Sequence, residues 1–478
     1  MATKKKNHKK KRKRKYHSVE IAFSDEKVTS FGGLLLEHRL AERLGLWSDL
    51  EKQMPRRQGK YSWMDVIQSG IGGLLSGSRG TFATEDLRTD EAALEILGLD
   101  GAPEEATFWR TLKGLGEMVE SGALREAQGR WTRKILERLP RPGLLECDGF
   151  FPIFADGSLL EGSPRREGTK YIKDKGLGLM WTTIFTGPLV ATQALAIKGK
   201  GERSLVRELI PETQRLVVKP LKMEKKALFL ADSLHGNEPS LRVVEQQKWS
   251  YVVGAGALTE AQQVLRDRSE AEWIDLGPKP GRGWSSSAIC QCWLQCADWP
   301  EKRLLVGRRV VREGEMFPTY YGVLTNLTPE RLGCADGKDF ICRVWRLYDA
   351  KGRMELGYKD LLSDLNLHHP PCGEYLRNAG FYALATLAHT LGVGVKLIGE
   401  SSTQSNDRER KKKKRDGIPG RIHVRPRRGM RLWRVMRRLF TIPARVASHA
   451  RRQRVTLLGS PPDLREQFTR WYTAIASC

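Results

Sequence analysis

Phe150-Phe151-Pro152-Ile153-Phe154-Ala155-Asp156 is an unbroken apolar run closed by a carboxylate. A run this short suits a buried strand better than a helix, and the acid emerges where the run stops. Leu177 to Phe185 and Leu189 to Ile197 read as two further strands, joined by the turn Thr186-Gly187-Pro188. Gly199-Lys200-Gly201 breaks the pattern before a helix from about Glu202. Ala227-Leu228-Phe229-Leu230-Ala231 then repeats the opening arrangement, an apolar run closed by Asp232. A helix over Pro239 to Gln247 and a strand at Tyr251-Val252-Val253 follow. Three antiparallel strands succeeded by helix and strand alternation predict an α/β fold around a mixed sheet, its first and fourth strands each ending in an aspartate.

Upstream, Val19-Glu20-Ile21-Ala22-Phe23 alternates like a short strand, and Gly32-Gly33 opens a helical region reaching about residue 139. Within it Thr107-Phe108-Trp109-Arg110 reads as a helix start, with Arg110 and Lys113 either facing phosphate or lying on an ordinary surface. Downstream, Trp273 to Leu276, Ala288 to Leu294, Arg303 to Val311 and Tyr320 to Leu324 are short alternating strands separated by Gly and Pro, which predicts an inserted β-rich subdomain. Helical pattern returns from about Leu347 to Ile398. Its stretch Ala379 to Val395 is apolar enough to raise a membrane span, but it is short and holds Thr386, His389 and Thr390, so a buried core helix is expected and no membrane. Ser401 to Asp416 reads as a polar, basic linker. Beyond it, Arg427, Arg431, Arg434 and Arg438 fall on one face of a helix whose opposite face holds Leu432, Val435, Met436 and Leu439. The expected organisation is a basic tail (1–17), a helical domain (18–140), a catalytic domain in two parts (141–254 and 344–400), the β-rich insertion (255–343) and a basic C-terminal segment (401–478).

The chain has 82 Lys and Arg against 56 Asp and Glu, a formal charge of +26. Residues 1–17 hold ten of the cations and no acid, and residues 401–455 hold nineteen against three acids. These two segments carry the whole net charge and leave the rest near neutral. Basic ends on a neutral body point to a polyanionic partner, because each neutralised phosphate releases counterions; solvated tails are the bland alternative. An apolar share of 40% excludes a globally disordered chain. The basic run from Lys4 leads into Tyr16-His17-Ser18 and not into an apolar signal core, so an intracellular protein is expected. Eight scattered cysteines fit a reducing compartment. Cys290, Cys292 and Cys296 lie close together, but no second pair follows at zinc-ligand spacing.

Two aspartates at the ends of buried strands are costly to hold together unless a cation neutralises them, and a divalent metal is the economical answer. Each could instead cap the turn that follows. A third carboxylate is sought on the helix after the insertion. Tyr348, Lys351, Glu355 and Lys359 are spaced three, four and four, so at ~100° per residue they share an arc of about 80°. Met354, Tyr358, Leu361 and Leu365 line an adjacent apolar face. The alternative is a solvated face of i,i+4 ion pairs.

Asp156 in Phe154-Ala155-Asp156-Gly157-Ser158, Asp232 in Phe229-Leu230-Ala231-Asp232-Ser233, and Tyr348-x2-Lys351-x3-Glu355 together resemble the DDE transposases of bacterial insertion sequences, in particular those with an RNase H-like catalytic domain and a β-rich insertion before the glutamate. Ser30-Phe31-Gly32-Gly33, Leu365-Asn366-Leu367 and Asn378 to Tyr382 extend the likeness, which spans about residues 19–460. Lys351 stands where the family has Arg, and Leu362 where it has Lys; Lys359 is placed to supply that cation. The resemblance implies a metal-dependent endonuclease and strand transferase that binds the terminal inverted repeats of its element and a target DNA. It implies that Asp156, Asp232 and Glu355 hold two Mg²⁺ or Mn²⁺ ions, that Tyr348, Lys351 and Lys359 grip phosphates, that a homodimer pairs the two ends, and that the protein works in a bacterial cytoplasm at the nucleoid. A haloacid-dehalogenase-type phosphatase fits Asp156-Gly157-Ser158 less well, because its nucleophilic Asp would fall at Phe154. The remaining alternative is a non-catalytic DNA-binding protein derived from a transposase, distinguished by metal-dependent DNA cleavage.

Overall fold

The computed structural model describes residues 26–145, 147–172, 176–196, 200–412, 430–449 and 452–478, with backbone alone at 142, 280, 403–412 and 449. The strand expected at Val19 to Phe23 lies outside the described residues.

β1 (Val28–Thr29) leads into helices that include α1 (Leu35–Arg43), α2 (Trp63–Ser76), α3 (Glu105–Glu120) and α4 (Ala123–Leu136). Ser62 and Asp65 start α2 with a capping box: the Ser62 hydroxyl accepts from the Asp65 amide at 3.1 Å, and the Asp65 carboxylate accepts from the Ser62 amide at 2.6 Å. Two donors that the first turn leaves unpaired are thereby satisfied.

The central sheet begins with β2 (Phe151–Glu161), β3 (Lys170–Ile172), β4 (Gly176–Thr186) and β5 (Leu189–Leu195), followed by α5 (Glu202–Thr213), β6 (Ala227–Ala231), α6 (Glu238–Gln246) and β7 (Ser250–Gly254). β2, β4 and β5 are antiparallel neighbours, while β6 runs parallel to β2 and β7 parallel to β6. The mixed α/β sheet expected from the apolar runs is therefore present. One boundary differs. β2 does not end at Asp156 but continues to Glu161, because β4 goes on supplying ladder partners, Asp156 opposite Thr183, after pairing with β6 has stopped at Phe154.

β8 (Ile274–Asp275), β9 (Trp284–Leu294), β10 (Arg303–Arg312) and β11 (Thr319–Thr325) form the β-rich segment. It is not a detached layer. β11 pairs antiparallel with β7, Leu324 opposite Val253, so the sheet runs β3-β4-β2-β6-β7-β11-β10-β9-β8, with β5 on the free side of β4. Arg303 locks the joint: it donates to Glu238 at 2.6 Å and to the Tyr251 hydroxyl at 2.9 Å and also pairs with Glu245, with its side chain only 9% exposed. Burying this guanidinium is tolerable only because carboxylates and a phenol surround it.

α7 (Gly337–Asp349) starts about ten residues before the expected Leu347, where the Asp336 carboxylate accepts from the Asp339 amide at 2.7 Å. A 3₁₀ turn (Ala350–Arg353), α8 (Met354–Tyr358) and a π turn (Lys359–Asp364) follow it. α9 (Tyr375–Lys412) is the long core helix. Its Tyr375–Ser402 part is long and apolar enough to cross a membrane, yet 89% of its most apolar window is buried against the rest of the chain. Both buried threonines on it are satisfied inside: Thr386 donates to the Tyr382 carbonyl at 2.6 Å, and Thr390 accepts from Gln128 at 2.7 Å, whereas neither ring nitrogen of the buried His389 has a hydrogen-bond partner among the described residues. α9 also continues through 401–412, where a linker was expected; the run Arg408 to Lys412 consists of good helix formers.

The chain closes on its own beginning. β12 (Ala444–His449) pairs with both β13 (Arg452–Leu457) and β1, and α10 (Pro462–Ala476) buries Trp471 against α9. Gly33 and Gly399 make this closure possible. A Cβ at Gly33 would lie 1.6 Å from the Leu439 carbonyl oxygen, and one at Gly399 would lie 2.1 Å from the Trp471 ring.

Candidate metal centre

Parallel pairing of β2 with β6 sets Phe154 opposite Leu230. Two residues further along each chain stand Asp156 and Asp232, so the two carboxylates occupy neighbouring positions at the rim where β6 stops. Each uses one oxygen locally. Asp156 Oδ1 accepts from the Gly157 amide at 2.9 Å, and Asp232 Oδ1 accepts from the Leu234 amide at 3.0 Å, capping the turn Ser233–His235. Burial pushes the Asp156 carboxyl up to about 6; the Lys351 ammonium opposes that rise, and the negative charges of Asp232 and Glu202 add to it.

Glu202 and His235 were not singled out from the sequence. Glu202 is the first residue of α5, where the helix dipole favours an acid, and it is buried. Its carboxylate lies over β2 beside Asp156, and a Cβ on Gly157 would come within 2.5 Å of it. Glycine is thus required at 157 for the acid to reach the cluster. His235 Nε2 stands 3.1 Å from Glu202 Oε1, with both side chains almost wholly buried. One ligand atom each of Glu202, Asp232 and His235 lies within 4.8 Å of the others. The available signals were the acid directly after the Gly199-Lys200-Gly201 break and a histidine three residues past Asp232.

Tyr348 and Lys351 are brought to the acids. A Cβ on Gly254 would lie 2.7 Å from the Tyr348 hydroxyl and 2.8 Å from the Ser233 amide nitrogen, which places that phenol beside the Asp232 turn. Burial and the charge of Asp232 hold the phenol above its usual range. Tyr358 ties β2 to β4 through its hydroxyl, which accepts from Thr183 at 2.6 Å and donates to the Asp156 carbonyl at 2.8 Å. Gly357 lets α8 approach, since a Cβ there would lie 2.6 Å from the Phe185 ring. Met354, Tyr358, Leu361 and Leu365 are all buried on this side.

Glu355 lies one turn before Tyr358 on α8 and is exposed, as is Lys359. The four residues Tyr348, Lys351, Glu355 and Lys359 do not ride on one uniform helix. The 3₁₀ turn between the first and third advances more per residue than an α-helix, and the π turn beginning at Lys359 advances less, so the arc worked out at a constant 100° does not apply.

The expected division of faces holds over the described residues, with Leu432, Val435, Met436 and Leu439 buried and Arg434 and Arg438 exposed, but the helix that carries it is short. Arg427 lies outside the described residues. The helix Leu432–Val435 is four residues long and passes into a π turn, Met436–Phe440, so no long amphipathic helix carries the rest. Arg431 pairs with Asp364 and lies 3.5 Å from Asp360, while Arg438 pairs with Asp463 at 2.6 Å. Arg434 lies over the Trp433 ring at 5.7 Å. Arg434 and Arg438, with Arg437, Trp433 and Pro461, line a cleft of about 410 Å³.

No protein-family model matches the chain, and no curated protein matches it. Among solved structures, the piggyBac transposase synaptic complex with hairpin DNA overlaps loosely, with a TM-score of 0.33 and 11% identity over 85% of this chain and 90% of that one.

Proposed function

We propose that this chain is a DDE-type transposase, built on an RNase H-like sheet, that binds the inverted repeats of an insertion sequence and cleaves and transfers DNA strands with divalent metal. One observation carries the reading: the β2 and β6 register sets Asp156 beside Asp232 at the sheet rim, with Glu202 pressed against them. Three carboxylates gathered around one partly buried point repel one another, and their oxygens are the donors that Mg²⁺ and Mn²⁺ prefer. The residues present therefore fit such ions. Asp156, Asp232 and Glu202 would hold them, with Glu355 closing the site from α8. When bound, two such ions supply activation of the attacking oxygen and stabilisation of the leaving one.

The protein's own part is positioning. Tyr358 fixes the Asp156 backbone through its hydroxyl, and Gly157 leaves room for Glu202. Lys351, already within the electrostatic reach of Asp156, and Tyr348 beside Asp232 would grip the phosphates flanking the scissile bond, with Lys359 further along the same stretch. The basic ends would supply sequence-independent affinity for double-stranded DNA, a homodimer would pair the two ends, and the protein would act at the nucleoid. The test is incubation with DNA carrying the inverted repeats that flank the reading frame. Strand cleavage is expected with Mg²⁺ or Mn²⁺, none with EDTA, and none by Asp232→Asn even though it still binds the ends. Equal cleavage by Asp232→Asn would sink the assignment, and DNA binding with no cleavage by the wild type would favour the non-catalytic alternative.

A further inference from the structure

A second charged site lies on the β-rich part of the sheet. A cleft of about 210 Å³ between β9, β10 and α7 is lined by Lys279, Arg308, Trp345, Arg346 and Asp349, among others. Three cations converge on one indole: Lys279, Arg282 and Arg308 stand 5.8, 5.1 and 5.6 Å from the Trp284 ring centre. Arg308 also lies flat over Trp345 at 4.1 Å. Its side chain is 10% exposed, and its Nε makes no hydrogen bond.

A guanidinium does not shed its proton, so this buried charge needs an anion. Asp349 serves poorly: it stands 4.0 Å from Arg308 and is shared with Arg282 at 3.2 Å. Lys279, Arg282 and Arg308 share this carboxylate and Arg346 adds a fourth cation to the lining, so positive charge outweighs negative among the described residues of the cleft. Burial and the like charges of Arg308 and Arg282 hold the Lys279 ammonium below its usual range, and Asp349 opposes that fall only in part.

We propose that this cleft binds one phosphate of a DNA strand, an inference that rests on the DNA-binding reading but not on the metal centre. The cleft is smaller than the ~300–1,000 Å³ typical of small-molecule sites. It suits a single phosphodiester, which the planar fork of Arg308 can bond in pairs. α7 links it to the acids, since Trp345 contacts Tyr348 edge-on at 5.8 Å.

The experiment uses the full chain and a fluorescent DNA duplex, with affinity measured across a salt series for wild type and for a Lys279→Ala/Arg346→Ala variant. Both changes lie at the open mouth of the cleft and spare the packed Arg308. One lost phosphate contact lowers the log–log salt slope by about 0.9, so the affinity gap should narrow about 3.5-fold between ~50 and ~200 mM salt. In parallel, amine acylation of Lys279 is followed by mass spectrometry with the duplex or with inorganic phosphate alone. Protection by the duplex is expected. Duplex binding with an unchanged slope and an unprotected Lys279 would overturn the cleft while leaving the DNA-binding reading intact. Protection by inorganic phosphate but not by duplex would make it a free-phosphate site instead, and a wild type that binds no duplex would sink both readings.

Discussion

Replacing Asp156 by Asn should make the metal-free protein more stable. The Asp156 carboxyl is raised from 3.8 to about 6, chiefly by burial. A carboxyl that holds its proton more tightly folded than unfolded contributes stability at low pH and loses it as pH rises between those two values. Wild-type stability should therefore fall from about pH 4 to about pH 6 on account of this group and stay reduced above. At ~1.36 kcal/mol per unit the loss is about 2–3 kcal/mol. Asparagine cannot ionise, yet it keeps an oxygen to accept from the Gly157 amide at 2.9 Å. With unfolding entropy of ~2.1 cal/mol/K per residue, the whole chain would show a rise in Tm of roughly 2–3 °C at pH 8 and almost none at pH 4. Thermal unfolding in EDTA, followed by circular dichroism at both pH values, measures it. Saturating Mg²⁺ should close most of the gap, because ligand at about a hundred times its Kd stabilises the wild type by ~2.7 kcal/mol and the variant lacks a ligand oxygen of full charge. A variant no more stable than wild type at pH 8 in EDTA, or equal protection of both by Mg²⁺, would refute the idea of mutually repelling acids awaiting a cation.

Arg303→Ala strands the buried Glu238 carboxylate and takes the partner from the half-buried Glu245, and should cost about 3–5 kcal/mol in denaturant unfolding; a loss under about 1 kcal/mol would show that the joint does not depend on this guanidinium. Glu355→Gln should abolish strand cleavage while leaving end-binding intact in gel shifts, and cleavage at the wild-type rate would leave Glu202 as the third acid. Deleting residues 1–17, with their ten cations, should flatten the salt dependence of DNA affinity, whereas an unchanged slope would mean that these lysines and arginines do not touch DNA.

The strands that build the centre could be read directly because each is an apolar run with a polar stop: Phe150 to Ala155, and Ala227 to Ala231. What such runs omit is register. Asp156 and Asp232 become neighbours only through the parallel pairing of Phe154 with Leu230, a contact between residues far apart in the chain. Glu202 was invisible for a related reason: an acid opening a helix is commonplace, and it gains meaning only when α5 lays it over Gly157. The joining of β11 to β7 likewise rests on distant backbone pairing, so the β-rich segment looked separate from the sheet it extends. β12 and β13 escaped notice because both are short and mostly polar, with Ala444 and Val446 the inward apolar pair on β12. The shared face of Tyr348 and Glu355 presumed one continuous α-helix, and backbone switches to 3₁₀ and π geometry carry no strong composition signal.

Continuity of the sheet turns it into a measuring device. Ala231 on β6 aligns through Val253 and Leu324 with Leu305 on β10, so Asp232 falls in the row of Val306 and Arg308 lies two residues beyond it. Three strand spacings of ~4.8 Å across and two residues of ~3.4 Å along put the backbones of Asp232 and Arg308 about 16 Å apart. Hydrogen-bonded strands do not stretch, so that separation cannot change without breaking the ladder. A DNA strand rises ~3.4 Å per nucleotide along the duplex axis and also winds around it, so a chain held by a phosphate in the β10 cleft would present to the acids a bond a fixed few nucleotides away. The place of the cut relative to the gripped phosphate would then be counted by the sheet, whatever bases lie between.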